Sequence, residues 1–210
     1  MDRKSYAQAC TVAAALDLVG DRWTLLLLRE LLGGPARFGE LHAGLPGIAK
    51  NLLATRLRTL EADGLVRKLG ASGVTLYALT EHGAGVRPII DQLGAWGARA
   101  SRIAPVAHGR SPRALAVALQ AILSRPGRAL PPEPKLLELE VEGAPLEILL
   151  GAPPRVTGRP VHDADAHVRA SAGTLAGYLA GEGFPGERLE LVSGDGAAAR
   201  ALLDALVGTP

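Results

Sequence analysis

The sequence is poor in sulfur, in aromatic residues and in long apolar runs. A single cysteine, Cys10, excludes an internal disulfide framework. No apolar run approaches the ~20 residues that a membrane-spanning helix needs, so no membrane partner is expected. The first ten residues, MDRKSYAQAC, lack the apolar centre of a signal peptide, and Gly208-Thr209-Pro210 is no known address. A cytoplasmic protein is expected. The chain also lacks a P-loop, a G-x-S-x-G elbow and an H-E-x-x-H pair, so no catalytic residue, cofactor or metal is assigned. Net charge is only +2 over 210 residues, which names no partner.

The distribution of charge says more. Residues 1–105 carry 13 Lys+Arg against 9 Asp+Glu, and the remainder carries 10 against 12. A basic first half and an acidic second half suit a nucleic-acid-binding domain joined to something else. Apolar content of 48% is enough for a core in each. The division is placed at 1–105 and 106–210, because Ala104 to Arg113 holds Pro105, Gly109 and Pro112.

The first half is organised around LPGIAKNLLATRLRTLEADGLVRK, from Leu45 to Lys68. Pro46 and Gly47 make a turn, and Leu53, Leu57 and Leu60 then recur at i, i+4 and i+7, a buried helical stripe. Asn51, Thr55, Arg58 and Ala62 stand opposite, with Lys50 and Arg56 on the flanks. Gly64 ends the helix. A short helix with a basic outer face after a turn and another short helix fits a helix-turn-helix reading element. Upstream, Thr11 to Gly20 reads as a helix. A second, RWTLLLLRELL, is expected to be capped by Asp21, and Phe38 to Ala43 gives a third. Leu65–Leu69 and Thr75–Thr80 read as strands joined by Gly70 to Gly73, the hairpin of a winged helix. One helix follows from Glu81, with Val86, Ile89, Ile90, Leu93 and Trp96 on one face.

Cys10, GDRWTLLLLRELLGGPARFGEL (Gly20–Leu41), LPGIAKNLLATRLRTLEADGLV (Leu45–Val66) and YALTEHG (Tyr77–Gly83) closely resemble the HxlR family of bacterial transcription regulators. The resemblance implies a homodimeric winged-helix DNA binder whose first and last helices pair two protomers. Ala49 and Ala54 depart from it, standing where the family usually has serine and where threonine is common; both lose hydroxyls able to cap the helix or touch phosphate.

In the second half, Ser111-Pro112 opens a helix, RALAVALQAIL. From Leu136 the period becomes two. Leu137, Leu139 and Val141 alternate with glutamates, and after a turn at Gly143-Ala144-Pro145 so do Leu146, Ile148 and Leu150. A strand at Asp165–Ser171, a helix at Thr174–Gly181, a strand at Leu189–Val192 and a helix at Ala197–Val207 complete it. The hairpin Leu136–Leu150, DAHVRASAGTLAGYLAG (Asp165–Gly181) and ELVSGDGAAARALLDAL (Glu190–Leu206) weakly resemble the sterol-carrier-protein type 2 fold, which implies an apolar ligand tunnel. This half has only Tyr178 and Phe184 as aromatics and no methionine to line one. The fold class is therefore α+β: a winged helix plus a sterol-carrier-like domain for ligand binding or dimerisation, with no ligand-binding residue assigned.

The candidate DNA contacts are Lys50, Asn51, Thr55, Arg56 and Arg58 on the reading helix, with Arg37, Arg67, Lys68 and Ser72 at phosphates. Their bland reading is a solvated helix face and ordinary wing-edge charges. Cys10 is a small buried hydrophobe or a sensor of oxidants and electrophiles; Arg3 and Lys4, near in sequence, would favour a reactive thiol. Gly194 to Ala199 matches G-x-G-x-x-A, but the chain ends before a second strand and an acidic partner, so it reads as a turn. His162-Asp163-Ala164-Asp165-Ala166-His167 reads as a polar turn rather than a metal site. The expected function is regulation of transcription on a pseudo-palindromic double-stranded operator, controlled by an apolar small molecule. The alternatives are a lipid carrier that uses the winged helix for dimerisation, and an enzyme built on the His162–His167 cluster.

Overall fold

A computed structural model describes residues 5–71, 73–99, 111–171, 173–174 and 189–207. The chain forms two compact units, Met1–Ile90 and Asp91–Pro210. The proline-bearing stretch around residue 105, where the domains were expected to divide, lies among residues 101–110, outside those described. So do Arg3, Lys4 and Ser72, and all but Thr174 of the expected helix Thr174–Gly181.

In the first unit, α1 (Thr11–Val19), α2 (Thr24–Leu32), α3 (Phe38–Gly44) and α4 (Lys50–Ala62) precede a hairpin of β2 (Val66–Ala71) and β3 (Val74–Leu79). The i, i+4, i+7 stripe of α4 is buried as its spacing requires: Leu53, Leu57 and Leu60 are at most 2% exposed. They meet Leu27, Leu28 and Leu31 of α2, Leu41 of α3, and Leu45, Ile48, Leu65 and Val66 in one core. Asp63 is the C-cap, and the chain leaves α4 through Gly64 at φ +71, a left-handed position that glycine takes without a Cβ penalty.

Several boundaries differ from expectation. α2 begins at Thr24, and its N-cap is Trp23, with left-handed φ of 78 and no side-chain cap bond. The Asp21 carboxylate is drawn away by Arg56, so it caps nothing. The wing strands are shifted towards the turn, pairing out to Ala71 opposite Val74: β2 starts and ends later than Leu65–Leu69, and β3 starts and ends one residue before Thr75–Thr80. A two-residue strand, β1 (Ala36–Arg37), adds to the far side of β3, for the order β1-β3-β2; two residues are too few for any periodicity to announce. The single helix expected from Glu81 is two, α5 (Glu81–Ala84) and α6 (Arg87–Arg99), with Gly85 as the C-cap between them and Pro88 in the first turn of α6.

The turn into α5 is held by one hydroxyl. Thr80 Oγ1 donates to the Gly64 carbonyl at 2.6 Å and accepts from the Gly83 amide at 3.0 Å. The residue after β3 is thereby tied to the chain where it leaves α4. Gly83 sits so close that a Cβ there would lie 2.0 Å from the Leu65 carbonyl oxygen.

The second unit is a five-stranded sheet in the order β6-β5-β4-β7-β8. Its strands are β4 (Lys135–Val141), β5 (Ala144–Leu150), β6 (Arg155–Thr157), β7 (Ala166–Ala170) and β8 (Glu190–Gly194). β4 and β7 are parallel, and the other neighbours are antiparallel. The β4–β5 turn is Glu142-Gly143, both at positive φ (50 and 80), rather than Gly143 to Pro145. A two-residue hairpin with left-handed central residues matches strand twist better than the longer turn. β6 is too short to show a period. Alternation buries Leu137, Leu139, Val141, Leu146, Ile148 and Leu150, all at 0% exposed. α7 (Pro112–Leu123), with Ser111 as N-cap, packs on β5 and β6, and α8 (Gly196–Val207) on β4 and β7. No helix among the described residues is long and apolar enough to cross a membrane.

Gly83→Ala is expected to destabilise the first unit by about 1–3 kcal/mol, as overpacking against a fixed neighbour does. Differential scanning calorimetry should show a transition several degrees lower; an unchanged melt would mean α5 moves away freely.

Candidate nucleic-acid interface

α3, the turn through Pro46-Gly47 and α4 make a helix-turn-helix, and β2–β3 make its wing. α4 has two faces. With Leu53, Leu57 and Leu60 buried, Asn51 and Arg58 are left exposed on the far side with Thr55 half-buried between them, and Lys50 is exposed on the flank. Asn51, Thr55 and Arg58 follow i, i+4, i+7, about 10 Å along the axis at ~1.5 Å per residue. That length covers roughly three base steps at ~3.4 Å each along one strand.

Local bonds hold these side chains. Arg58 Nη2 donates to Thr55 Oγ1 at 3.2 Å, and its Nε to the Ala54 carbonyl at 3.4 Å. The pair is thus set as a unit on one turn. Asn51 Oδ1 accepts from the Leu52 amide at 2.8 Å, which leaves its amide group as the outward donor. Such a set of donors, with one acceptor-capable side chain, suits purine edges in a major groove. Arg56 is different: its side chain is 19% exposed and ion-paired with Asp21.

The wing cations divide between two faces. Directly paired residues share a face, and neighbours along a strand alternate. Arg37 pairs with Leu76, and Arg67 with Ala78, so both arginines lie on one face. Lys68 pairs with Tyr77 and lies on the other, where its Nζ meets Glu61 Oε2 of α4 at 2.7 Å. That hydrogen bond to Glu61 raises the lysine's pKa above its ordinary value. Because the folded value is raised, the attraction is complete at neutral pH and fades only as strongly alkaline solution takes pH through it. Lys68 is therefore a fixed cation already partnered by a carboxylate. Arg37 is exposed at the N-cap of α3, its backbone amide donating to Glu40 Oε2 at 2.6 Å.

Sequence reading did not find Asp21–Arg56, Glu61–Lys68 or the seating of Arg37 on the wing sheet. Each joins elements whose meeting no local period announces.

Cys10 is exposed at the N-cap of α1, which removes the reading of it as a buried hydrophobe. In the second unit the polar cluster has structural work. Asp165 Oδ2 accepts from the Leu136 amide at 2.8 Å, and His167 Nδ1 lies 3.3 Å from Glu138 Oε1. The described residues contain no group of three or more ligating side chains placed to hold a metal. Gly194 to Ala199 is the β8–α8 turn, where Asp195 Oδ1 caps the Ala197 amide at 2.8 Å.

A helix-turn-helix with a two-stranded wing and a polar, cationic outer helix face defines a winged-helix DNA-binding protein. Residues 18–103 match the HxlR-like helix-turn-helix family. The chain is 36% identical over 101 residues to the uncharacterized HTH-type transcriptional regulator YtcD of Bacillus subtilis (strain 168), across 47% of this chain and 79% of that one. It is 35% identical over 86 residues to the HTH-type transcriptional regulator YodB of the same organism, across 40% and 77%. A solved structure of the redox regulator HypR in its oxidized form is 34% identical, covering 45% of this chain and 100% of that one, with a TM-score of 0.42. The chain belongs to the HxlR-like helix-turn-helix family, and it is a DNA-binding transcriptional regulator of that type.

Proposed function

We propose that the protein reads a pseudo-palindromic operator as a homodimer, inserting α4 into the major groove. The observation that carries this is the pair of exposed side chains, Asn51 and Arg58, opposite the buried leucine stripe, with Lys50 exposed on its flank. Asn51, Thr55 and Arg58 face bases, and Lys50 meets phosphate. Arg37 and Arg67, on one wing face, are assigned to phosphate, as are Ser72 and Lys68, the last on giving up its exposed pairing with Glu61. Domains of 1–105 and 106–210 divide the labour. Asn51→Ala and Arg58→Ala should each cost about 1–3 kcal/mol at one base position while leaving the melt unchanged. Footprinting on duplexes selected by the wild-type protein measures this; unaltered footprints in both variants would remove α4 from the interface.

Dimerisation is supported by apolar side chains left in water. On α1, Val12 and Leu16 are 65% and 42% exposed, and on α6 Ile89, Leu93 and Trp96 are 47%, 43% and 70% exposed. Both sets follow helical spacing, so each is one stripe. Half-sites about one helical turn apart, or a multiple of it, then follow from two-fold symmetry. Leu93→Asp is expected to give a monomer by light scattering and single half-site footprints. A wild-type monomer at micromolar concentration would contradict the arrangement.

The second unit is proposed as a sterol-carrier-like domain taking an apolar effector. Its support is a sheet with one leucine-rich face covered by alanine-rich helices α7 and α8. A fatty acid such as palmitate should raise the melting temperature of the full chain by an amount growing with concentration; a flat response across fatty acids and sterols would leave packing as its only role. Cys10, exposed beside α1, is proposed to sense oxidants or electrophiles. Cys10→Ser should keep DNA binding and lose release by hydrogen peroxide or a quinone; equal release from both proteins would return Cys10 to a structural part.

A further inference from the structure

We infer that Asp21 is a positioning residue for DNA reading, and that Arg56, though on the reading helix, serves to orient it rather than to touch DNA. The inference rests on the proposal that α4 is the reading helix. It starts from the path of four residues, Gly20 to Trp23, between α1 and α2. The Gly20 amide closes α1 by donating to the Leu16 carbonyl at 2.7 Å, and the Thr24 amide donates to the Asp21 carbonyl at 3.1 Å. Trp23, at a left-handed φ of 78, ends the loop. This tight path sends two side chains towards the helix-turn-helix. The tip of the Trp23 ring faces Gly47 in the turn before α4, 3.6 Å from where a Cβ would stand. The Asp21 carboxylate accepts from Arg56 Nη1, midway along α4.

The two contacts act on different freedoms of the same helix. Trp23 against Gly47 fixes where α4 begins. Asp21 on Arg56 fixes its rotation about its own axis, because Arg56 stands to one side of the Leu53–Leu57–Leu60 stripe. Rotation matters for reading. Side-chain tips lie roughly 5–6 Å from the axis, so a turn of ~20° moves them about 2 Å. Hydrogen bonds to base edges tolerate only a few tenths of an ångström around ~2.9 Å. Burial of the leucines sets which face of α4 points inward, but being non-directional it does not by itself fix the last few degrees of roll. The ion pair supplies direction.

Arg56 is also poorly placed to serve DNA. Its side chain is 19% exposed, against a 63% exposed Asp21, and its Nε is buried. A phosphate would have to displace a carboxylate already bonded to the guanidinium.

The test uses the full chain and a duplex that the wild-type protein selects from a random-sequence pool, beside an unselected duplex. Asp21→Asn and Arg56→Gln should each lower the ratio of selected to unselected affinity by about tenfold. Binding to unselected DNA, and its dependence on salt, should stay unchanged, since no phosphate contact is lost. The charge-swapped double variant D21R/R56D should regain the ratio to within about threefold, corresponding to less than 1 kcal/mol. A lower unselected affinity and a shallower salt slope in Arg56→Gln, with Asp21→Asn unaffected, would make Arg56 a DNA contact and overturn the inference. Normal ratios in both single variants would overturn it too. If the single variants melt below the assay temperature, the folded double variant decides: loss of selection there overturns the inference. Should the wild-type protein select no duplex, the proposed function falls first, and that result is distinct from any difference among variants.

Discussion

Burial of Leu53, Leu57 and Leu60 is the constraint on which the first unit depends. A helix of 13 residues whose inner stripe is driven out of water has its outer stripe assigned by the same 100° geometry. Asn51 and Arg58 are presented outward because the leucines are held inward, with Lys50 exposed at the edge. Each buried leucine contributes on the order of 2 kcal/mol. The outward residues therefore need no stabilising contacts of their own, and they are left available for a partner. On the proposed function, affinity for DNA is carried by side chains that the fold does not require.

A second layer of polar contacts ties the pieces around that helix. Thr80 joins the end of the wing to the end of α4, with the Gly64 carbonyl on one side and the Gly83 amide on the other. Glu61 holds Lys68 of β2, and Asp21 holds Arg56. All three link α4, or the residues that leave it, to another element. Exposed ion pairs stabilise little, so their effect lies in geometry. They select one arrangement among several that hydrophobic burial would accept about equally well. In the second unit Asp165 has a similar place: its carboxylate takes the Leu136 amide, and its carbonyl takes the Asp195 amide at 2.7 Å. A residue of the polar His162–His167 run thereby pins the starts of β4 and β7 to the turn before α8.

The winged helix and the alternating hairpin of the second unit were legible from the chain itself, as was the outward face of α4. Periodicity reports burial directly, so Leu53–Leu57–Leu60 and Leu137–Leu139–Val141 announce both an element and its orientation. What stayed hidden has a common physical character. β1 and β6 are two and three residues long, too short for a period of two to repeat. The break at Gly85, the start of α2 at Thr24 and the turn at Glu142-Gly143 depend on individual φ values and on where one carboxylate finds its partner.

Local chemistry in the sequence thus determined which residues go inside, which helix faces outward, and the family to which residues 18–103 belong. These follow from side-chain polarity repeated at a fixed spacing, which survives without knowledge of neighbours. Only the tertiary structure decided that Lys68 faces α4 while Arg67 faces away, that Cys10 is exposed, and that Arg56 is bound by a residue 35 positions earlier. Contacts of that kind form between elements brought together by burial, and no pattern along the chain encodes the partner that each polar group will meet.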